Sequence, residues 1–259
     1  MSHDVWRPSL YGRFRAERSR PFYDLLDLVR PRPGMRVVDL GCGTGELTAD
    51  AHRRLGAVST IGVDSSASML EKAAPLAGDG LSFLRGDIAS FTSPSGEPFD
   101  LVLSNAALHW VPDHPALLAR LAAAIAPCGQ LAVQIPSNQD HPSHALAHEM
   151  AREEPWRSEL GGYVRETPVL PPVRYAELLR RLGFRDQHVR LQVYVHELPE
   201  PAEVVEWVRG TLLTDYEKRM APPAFARYVD EYRERLLARI GRERPYLYTY
   251  QRILFWAER

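Results

Sequence analysis

The stretch VVDLGCGTG, residues 37–45, limits what this chain can fold into more than any other part of it. A short β-branched run, predicted as a strand over 36–40, carries an acidic residue, Asp39, near its end. Glycines follow at Gly41, Gly43 and Gly45, and a helix is predicted over 44–55, with Leu47, Ala51 and Leu55 on one face. Glycine lets the backbone approach a ligand closely and adopt dihedrals closed to other residues. The start of the following helix offers unpaired N–H groups and positive potential. The dinucleotide fingerprint G-x-G-x-x-G would place glycine at position 46, where Glu46 stands, so the pattern here is G-x-G-x-G.

The rest of the first half repeats this alternation. Strands are predicted over 60–63, 81–84, 100–103 and 130–135, and helices over 66–74, with Ser66 as N-cap, and 115–124. Strands alternating with helices imply an α/β fold, a doubly wound, mostly parallel sheet. Asp64 falls at the end of the second strand, where a carboxylate can accept from both hydroxyls of a ribose. Asp87 and Ile88 follow the third strand, an acceptor for an amino group beside an apolar surface. Each aspartate alone is an ordinary turn residue. Their coincidence at the carboxyl ends of neighbouring strands is what points to a ligand.

Residues 137–172 show no clean period and read as an insertion or lid. Beyond them a helix is predicted over 174–182, closed by Gly183, and a strand over 188–198, where Val189, Leu191, Val193 and Val195 share one face. Helices are predicted over 201–220 and 223–240, and a closing strand over 248–257. The stripe of Phe225, Tyr228, Val229, Tyr232 and Leu236 reads as core. The expected organisation is an N-terminal helical cap segment at 1–33, a ligand-binding core at 34–136, and cap insertions with the last helix and strands at 137–259.

Composition narrows the function classes. The 259 residues carry a formal charge of −1, with 45% hydrophobic and 25% charged, which excludes a disordered or collagen-like chain. Near-zero charge without a dense basic block argues against a nucleic-acid partner. The absence of an apolar run of about 18 residues argues against a membrane helix, and no secretory leader is visible. Cys42 and Cys128 are the two cysteines, so a cytoplasmic protein is expected. His141, His144 and His148 cluster, but Glu149 does not complete H-E-x-x-H, and no metal is expected. Lys72 and Lys218 are the only lysines, so arginine supplies 30 of the 32 basic residues, the type suited to gripping carboxylates in pairs of hydrogen bonds.

The run Asp39-Leu40-Gly41-Cys42-Gly43-Thr44-Gly45 resembles the glycine loop of the class I S-adenosylmethionine-dependent methyltransferases. A closer resemblance is to the trans-aconitate methyltransferases. It is carried by Trp6, Pro8, Tyr11, Phe14, Arg18, Arg20 and Pro21, by residues 104–111 (SNAALHWV), and by Val133-Gln134-Ile135-Pro136 with Asn138 and Pro142-Ser143-His144. The resemblance implies a seven-stranded Rossmann-like sheet with its last strand antiparallel and an α-helical cap. It implies S-adenosylmethionine as donor, with the glycine loop receiving the methionine part, Asp64 the ribose, and Asp87 with Ile88 the adenine. The donor contacts it implies also include Tyr11, Arg18, Asp39, Ser65, Met69, Ser104 and Asn105. The acceptor it implies is a carboxylate of trans-aconitate or a similar small polycarboxylate, giving a methyl ester, with His109 and Trp110 expected to line its pocket and Arg165 and Arg252 as candidate carboxylate partners. No side chain is expected to act as a chemical catalyst, since placement suffices, and a monomer is expected. Another small acid or a carrier-bound acyl carboxylate as acceptor, and a non-catalytic donor-binding protein, remain open alternatives.

Overall fold

A sheet is built around strand β1 (Arg36–Leu40). In the computed structural model the backbone is described from Arg15 and side chains from Ser19 onward. Parallel partners lie on both sides of β1: β2 (Ser59–Asp64) pairs Val38 with Ile61, and β4 (Phe99–Asn105) pairs Val38 with Val102. Val38, Leu101, Val102 and Leu103 are fully buried, as expected of central parallel strands covered on both faces. With β3 (Leu81–Arg85), β5 (Ile125–Pro136), β6 (Asp186–Leu198) and β7 (Tyr246–Glu258), the order is β3-β2-β1-β4-β5-β7-β6. β7 runs antiparallel to β5, with Gln134 opposite Leu254. The order reverses between β1 and β4, so a crevice opens at their carboxyl ends.

Helix α1 (Arg15–Leu26) precedes the sheet. Helix α2 (Glu46–Leu55) starts two residues later than the glycine pattern predicts, because Gly45 has φ +76° and cannot be helical. It ends in a left-handed Gly56 whose N–H reaches Arg53 and His52 carbonyls. Helix α3 (Ala67–Ala73) is capped by Ser66, which accepts from the Met69 N–H as predicted. Helix α4 (His114–Ala123) is capped by Asp113. Helix α7 (Pro172–Arg181) precedes β6.

The chain divides into two compact units. The larger holds Arg18–Ser137, Pro168–Gln192 and Gln251–Arg259. The described part of the smaller is chiefly Asn138–Thr167 and Val193–Tyr250. The segment 137–259 therefore contributes to both. The part expected to be irregular is not: it holds α5 (Pro142–Met150) and α6 (Trp156–Glu159). Pro142 at the first helical position and the His141 cap start α5, and burial of Leu146, Ala147 and Met150 fixes it. Among the described residues this unit also holds α8 (Glu203–Arg209), α9 (Thr214–Glu217) and α10 (Pro222–Ile240). Tyr228 and Tyr232 of α10 donate to the Ala147 and Ser143 carbonyls of α5, at 3.0 and 2.6 Å, so the aromatic stripe is core. In β6 the alternation predicts the strand, yet Leu191, Val193 and Val195 are 47%, 46% and 57% exposed. Tyr194, His196 and Leu198, on the opposite face, are the buried residues. Among the described residues no helix is long and apolar enough to cross a membrane.

Candidate active site

The three glycines of the turn do different work. Gly41, Gly43 and Gly45 all have positive φ, at +83°, +56° and +76°. A Cβ on Gly41 would sit 2.2 Å from the Ala107 Cβ, and one on Gly45 would sit 2.7 Å from the Phe83 ring. Those two let elements pack. A Cβ on Gly43 would meet nothing within 4 Å, so this glycine faces open space. Its N–H donates to Asp64 Oδ2 at 2.9 Å, while Asp64 Oδ1 accepts from the Ser66 N–H at 2.9 Å. Asp64 thus ties the turn to the start of α3, and a carboxylate with about four acceptor positions keeps capacity for a ligand.

Asp39 is buried and accepts from Thr48 Oγ1 at 2.5 Å, linking β1 to α2. Burial pushes its pKa up to about 6, with the nearby Asp64 charge adding and the Thr48 bond opposing. Burial also pushes the Cys42 thiol far up, so it stays protonated and unreactive. Exposed Asp87 accepts from the Ala89 N–H at 2.8 Å and caps the 3-10 turn Ile88–Ser90. Half-buried Ile88 reaches the glycine turn, its Cδ1 lying 3.5 Å from where a Gly41 Cβ would be. Ser65 is exposed beyond β2, and Met69 is buried on α3.

At the end of β4 the expectations separate. Ser104 is fully buried and donates its hydroxyl to the Leu40 carbonyl at 2.7 Å. The side chain thus ties β4 to β1. Asn105, one residue on, is half-buried, and its Oδ1 has no hydrogen-bond partner among the described residues. The 3-10 turn Leu108–Trp110 follows, with His109 half-buried and Trp110 38% exposed, their rings 4.8 Å apart.

Two further candidates are placed apart in the chain's organisation. Arg252, on β7 in the larger unit, is 5% exposed and donates to Gln134 Oε1 at 3.2 Å. An amide in the sheet, rather than solvent or a core carboxylate, is therefore one of its partners. Arg165, in the smaller unit, lies 4.0 Å from Asp215. Tyr11 lies outside the described residues, and Arg18 lies on α1 with its side chain outside them.

His141, His144 and Ser143 bond among themselves at 2.8–3.1 Å. Burial lowers the pKa of His141 to about 4 and that of His144 to about 3, so both are neutral at pH 7. They belong to the aromatic packing of the smaller unit, with His144 set against Tyr250 at 6.1 Å.

The rim of the crevice is rich in acceptors. Asp64 ends β2 and holds the Gly43 N–H, Asn105 ends β4, and Asp87 follows β3 by two residues, so each acceptor falls at the carboxyl end of a strand. A ligand suited to it brings hydroxyl and amino donors, and a positive charge is favoured there. S-adenosylmethionine, with ribose hydroxyls, amino groups and a sulfonium, has that chemistry.

These features define a class, and residues 11–189 match the family model described as a methyltransferase domain. The chain is 45% identical over 261 residues to "Trans-aconitate 2-methyltransferase" of Deinococcus radiodurans, covering 98% of each. It is 40% identical over 232 residues to the protein so named in Variovorax paradoxus, covering 89% of this chain and 88% of that one. Its fold is similar to a solved S-adenosylmethionine-dependent methyltransferase from Mesorhizobium loti, with a TM-score of 0.50, 22% identity, and coverage of 92% and 96%. The chain belongs to the trans-aconitate 2-methyltransferase family of methyltransferases.

One pairing has no signal in the sequence. His114 and Tyr175 are both fully buried in the larger unit and bond to each other beneath the 108–110 turn. No sequence signal joins them, because 61 positions separate them.

Proposed function

We propose that the chain transfers the methyl group of S-adenosylmethionine to a carboxylate of trans-aconitate or a similar small polycarboxylate, giving a monomethyl ester. The observation that carries this is the 45% identity, over 98% of both chains, to a protein named for that activity. The acceptors at the carboxyl ends of neighbouring strands, with Asp64 on the Gly43 N–H, agree with it. In this reading 34–136 is the donor-binding core, with 1–33 and 137–259 as flanking segments. The Gly41–Gly45 turn receives the methionine part, Asp64 the ribose, and Asp87 with Ile88 the adenine, with Asp39, Ser65, Met69 and Ser104 as further donor contacts. Asn105 offers its unpartnered Oδ1, and Tyr11 and Arg18 are assigned to the donor from the resemblance.

When bound, S-adenosylmethionine supplies a methyl on a sulfonium, its carbon–sulfur bond breaking as the oxygen–methyl bond forms. The chain itself binds, orients and excludes water. A carboxyl group of pKa near 4 is ionised at pH 7, so no residue has to remove a proton. His109 and Trp110 wall the acceptor, and Arg165 and Arg252 are the proposed partners of carboxylates that are not methylated. We assign a cytoplasmic monomer whose partner is a small acid, with no nucleic acid or membrane. Incubation with methyl-labelled donor and a panel of mono-, di- and tricarboxylates tests the reading. Label on trans-aconitate above the other acids supports it; label on a different acid replaces the acceptor. Donor binding without transfer to any acceptor class makes the chain a sensor.

A further inference from the structure

The 108–110 turn is held from below by a chain of hydrogen bonds whose direction can be worked out. His114 Nε2 lies 3.1 Å from the Leu108 carbonyl, which can only accept, so Nε2 carries the proton. Burial lowers the His114 pKa, so the ring is neutral at pH 7 and Nδ1 presents a lone pair. The Tyr175 hydroxyl, 2.5 Å from Nδ1, must then donate to it. The same hydroxyl oxygen accepts from the Leu170 N–H at 3.1 Å. The polarity runs one way, from Leu170 through Tyr175 and His114 to Leu108, and every donor and acceptor in it is used. The Leu108 carbonyl also accepts from the Val111 N–H at 2.9 Å, closing the 3-10 turn above it. Ala107, just before the turn, is the residue Gly41 packs against. Tyr175 is fixed in turn by stacking on Phe255, centroids 4.9 Å apart.

We propose that His114 and Tyr175 are positioning residues that set the 108–110 turn, and through it the orientation of His109 and Trp110, without touching donor or acceptor. Both are buried, so they act through the Leu108 carbonyl and not on a ligand. The consequence for catalysis rests on the reading that His109 and Trp110 wall the acceptor. The geometry of the turn does not rest on it.

Tyr175→Phe is the sharpest test, because it keeps the ring on Phe255 and removes only the hydroxyl. It leaves His114 Nδ1 and the Leu170 N–H unpaired, and kcat/KM for the acceptor is expected to fall about tenfold. Donor affinity, measured calorimetrically, should stay within about twofold, since the open face of Gly43 is untouched. His114→Leu should behave alike, and His114→Gln, whose amide N–H falls near the Nε2 position, should recover most of the loss. A structural readout stands beside these: the indole N–H resonance of Trp110, assigned through Trp110→Phe, should shift in Tyr175→Phe while the Gly43 amide does not. An unmoved Trp110 resonance overturns the proposal. So does a fall of donor and acceptor affinity together, or a lowered unfolding temperature with kcat/KM unchanged. If the wild-type chain methylates no acid, the functional reading fails while the Trp110 resonance still decides the positioning role.

Discussion

Two turns meet at the carboxyl ends of β1 and β4, and they are built in opposite ways. The glycine turn at 41–45 is made by the backbone: three positive φ angles, set by residue types adjacent in sequence. The 108–110 turn is made by side chains: its carbonyl is held by His114, which is held by Tyr175, far along the chain. The first has its backbone path set by its own residues, although the Asp64 carboxylate and the Val63 carbonyl of β2 hold it in place. The second takes shape only when α4, α7 and the sheet are assembled. A motif gives both the place and the conformation of the first turn, but only the place of the second, whose supports lie far off in sequence.

The largest effect that can break this contrast is at the glycines. Gly43→Val should lower donor affinity at least a hundredfold by filling the open face. Its folding cost should be about 1–2 kcal/mol for the left-handed backbone, seen as a modest fall in unfolding temperature. Gly41→Ala should do the reverse. Its Cβ would overlap Ala107, so stability should drop by about 2–4 kcal/mol from overpacking and backbone strain, leaving little folded protein to titrate. If the two variants gave the same balance of binding and stability loss, the division of labour among the glycines would be wrong.

Asp64→Ala comes next. It removes acceptors for the Gly43 and Ser66 N–H groups as well as the proposed ribose contact. Calorimetry should show donor binding weakened by about 1.5–3 kcal/mol, and S-adenosylhomocysteine binding by a similar amount, since the ribose is common to both. A loss confined to the donor would break the ribose assignment.

Asp39 separates the turns by pH. Its folded pKa of about 6 lies above the value near 3.9 of an unfolded aspartate. The folded chain therefore holds an extra proton between these values. The stabilisation is full below about pH 4 and is lost as pH rises through about 6. Asp39→Asn removes that loss, so its stability relative to wild type should improve by roughly 1–3 kcal/mol between pH 4 and pH 7. Thermal unfolding of the two proteins without donor across this range checks it, and a flat difference would remove Asp39 as a buried ionising group. The smallest effect is at β6. Val195→Thr should change stability by less than about 0.5 kcal/mol in denaturant unfolding, because the side chain is exposed despite its place in an alternating apolar row.

Much of the core was legible because its signals are local. Strand β1 begins and ends where the β-branched run does, at Arg36 and Leu40, and Ser66 caps α3 as its side chain allows. Asp64 was placed by its position after a strand, and it does sit on the glycine turn. For Ser104 the sequence left the partner open, because a hydroxyl at a strand end looks alike whether it faces a ligand or the neighbouring strand. Its bond to Leu40 exists only once β4 lies beside β1. The stripe at Leu191, Val193 and Val195 marked a strand, but which face would be covered depended on Tyr194, His196 and Leu198 finding the more favourable packing.

By itself the sequence determined the alternation of strand and helix, the left-handed turn after β1, and the carboxylates that end β2 and β3. These follow from dihedral preference, periodicity and adjacency, which act over a few residues. Only the tertiary structure decided which glycine faces open space, which polar groups are spent inside the sheet, and how the 108–110 turn is held. Those outcomes depend on hydrogen bonds and contacts between residues dozens of positions apart, and a buried donor finds its partner only where the fold has brought one within reach.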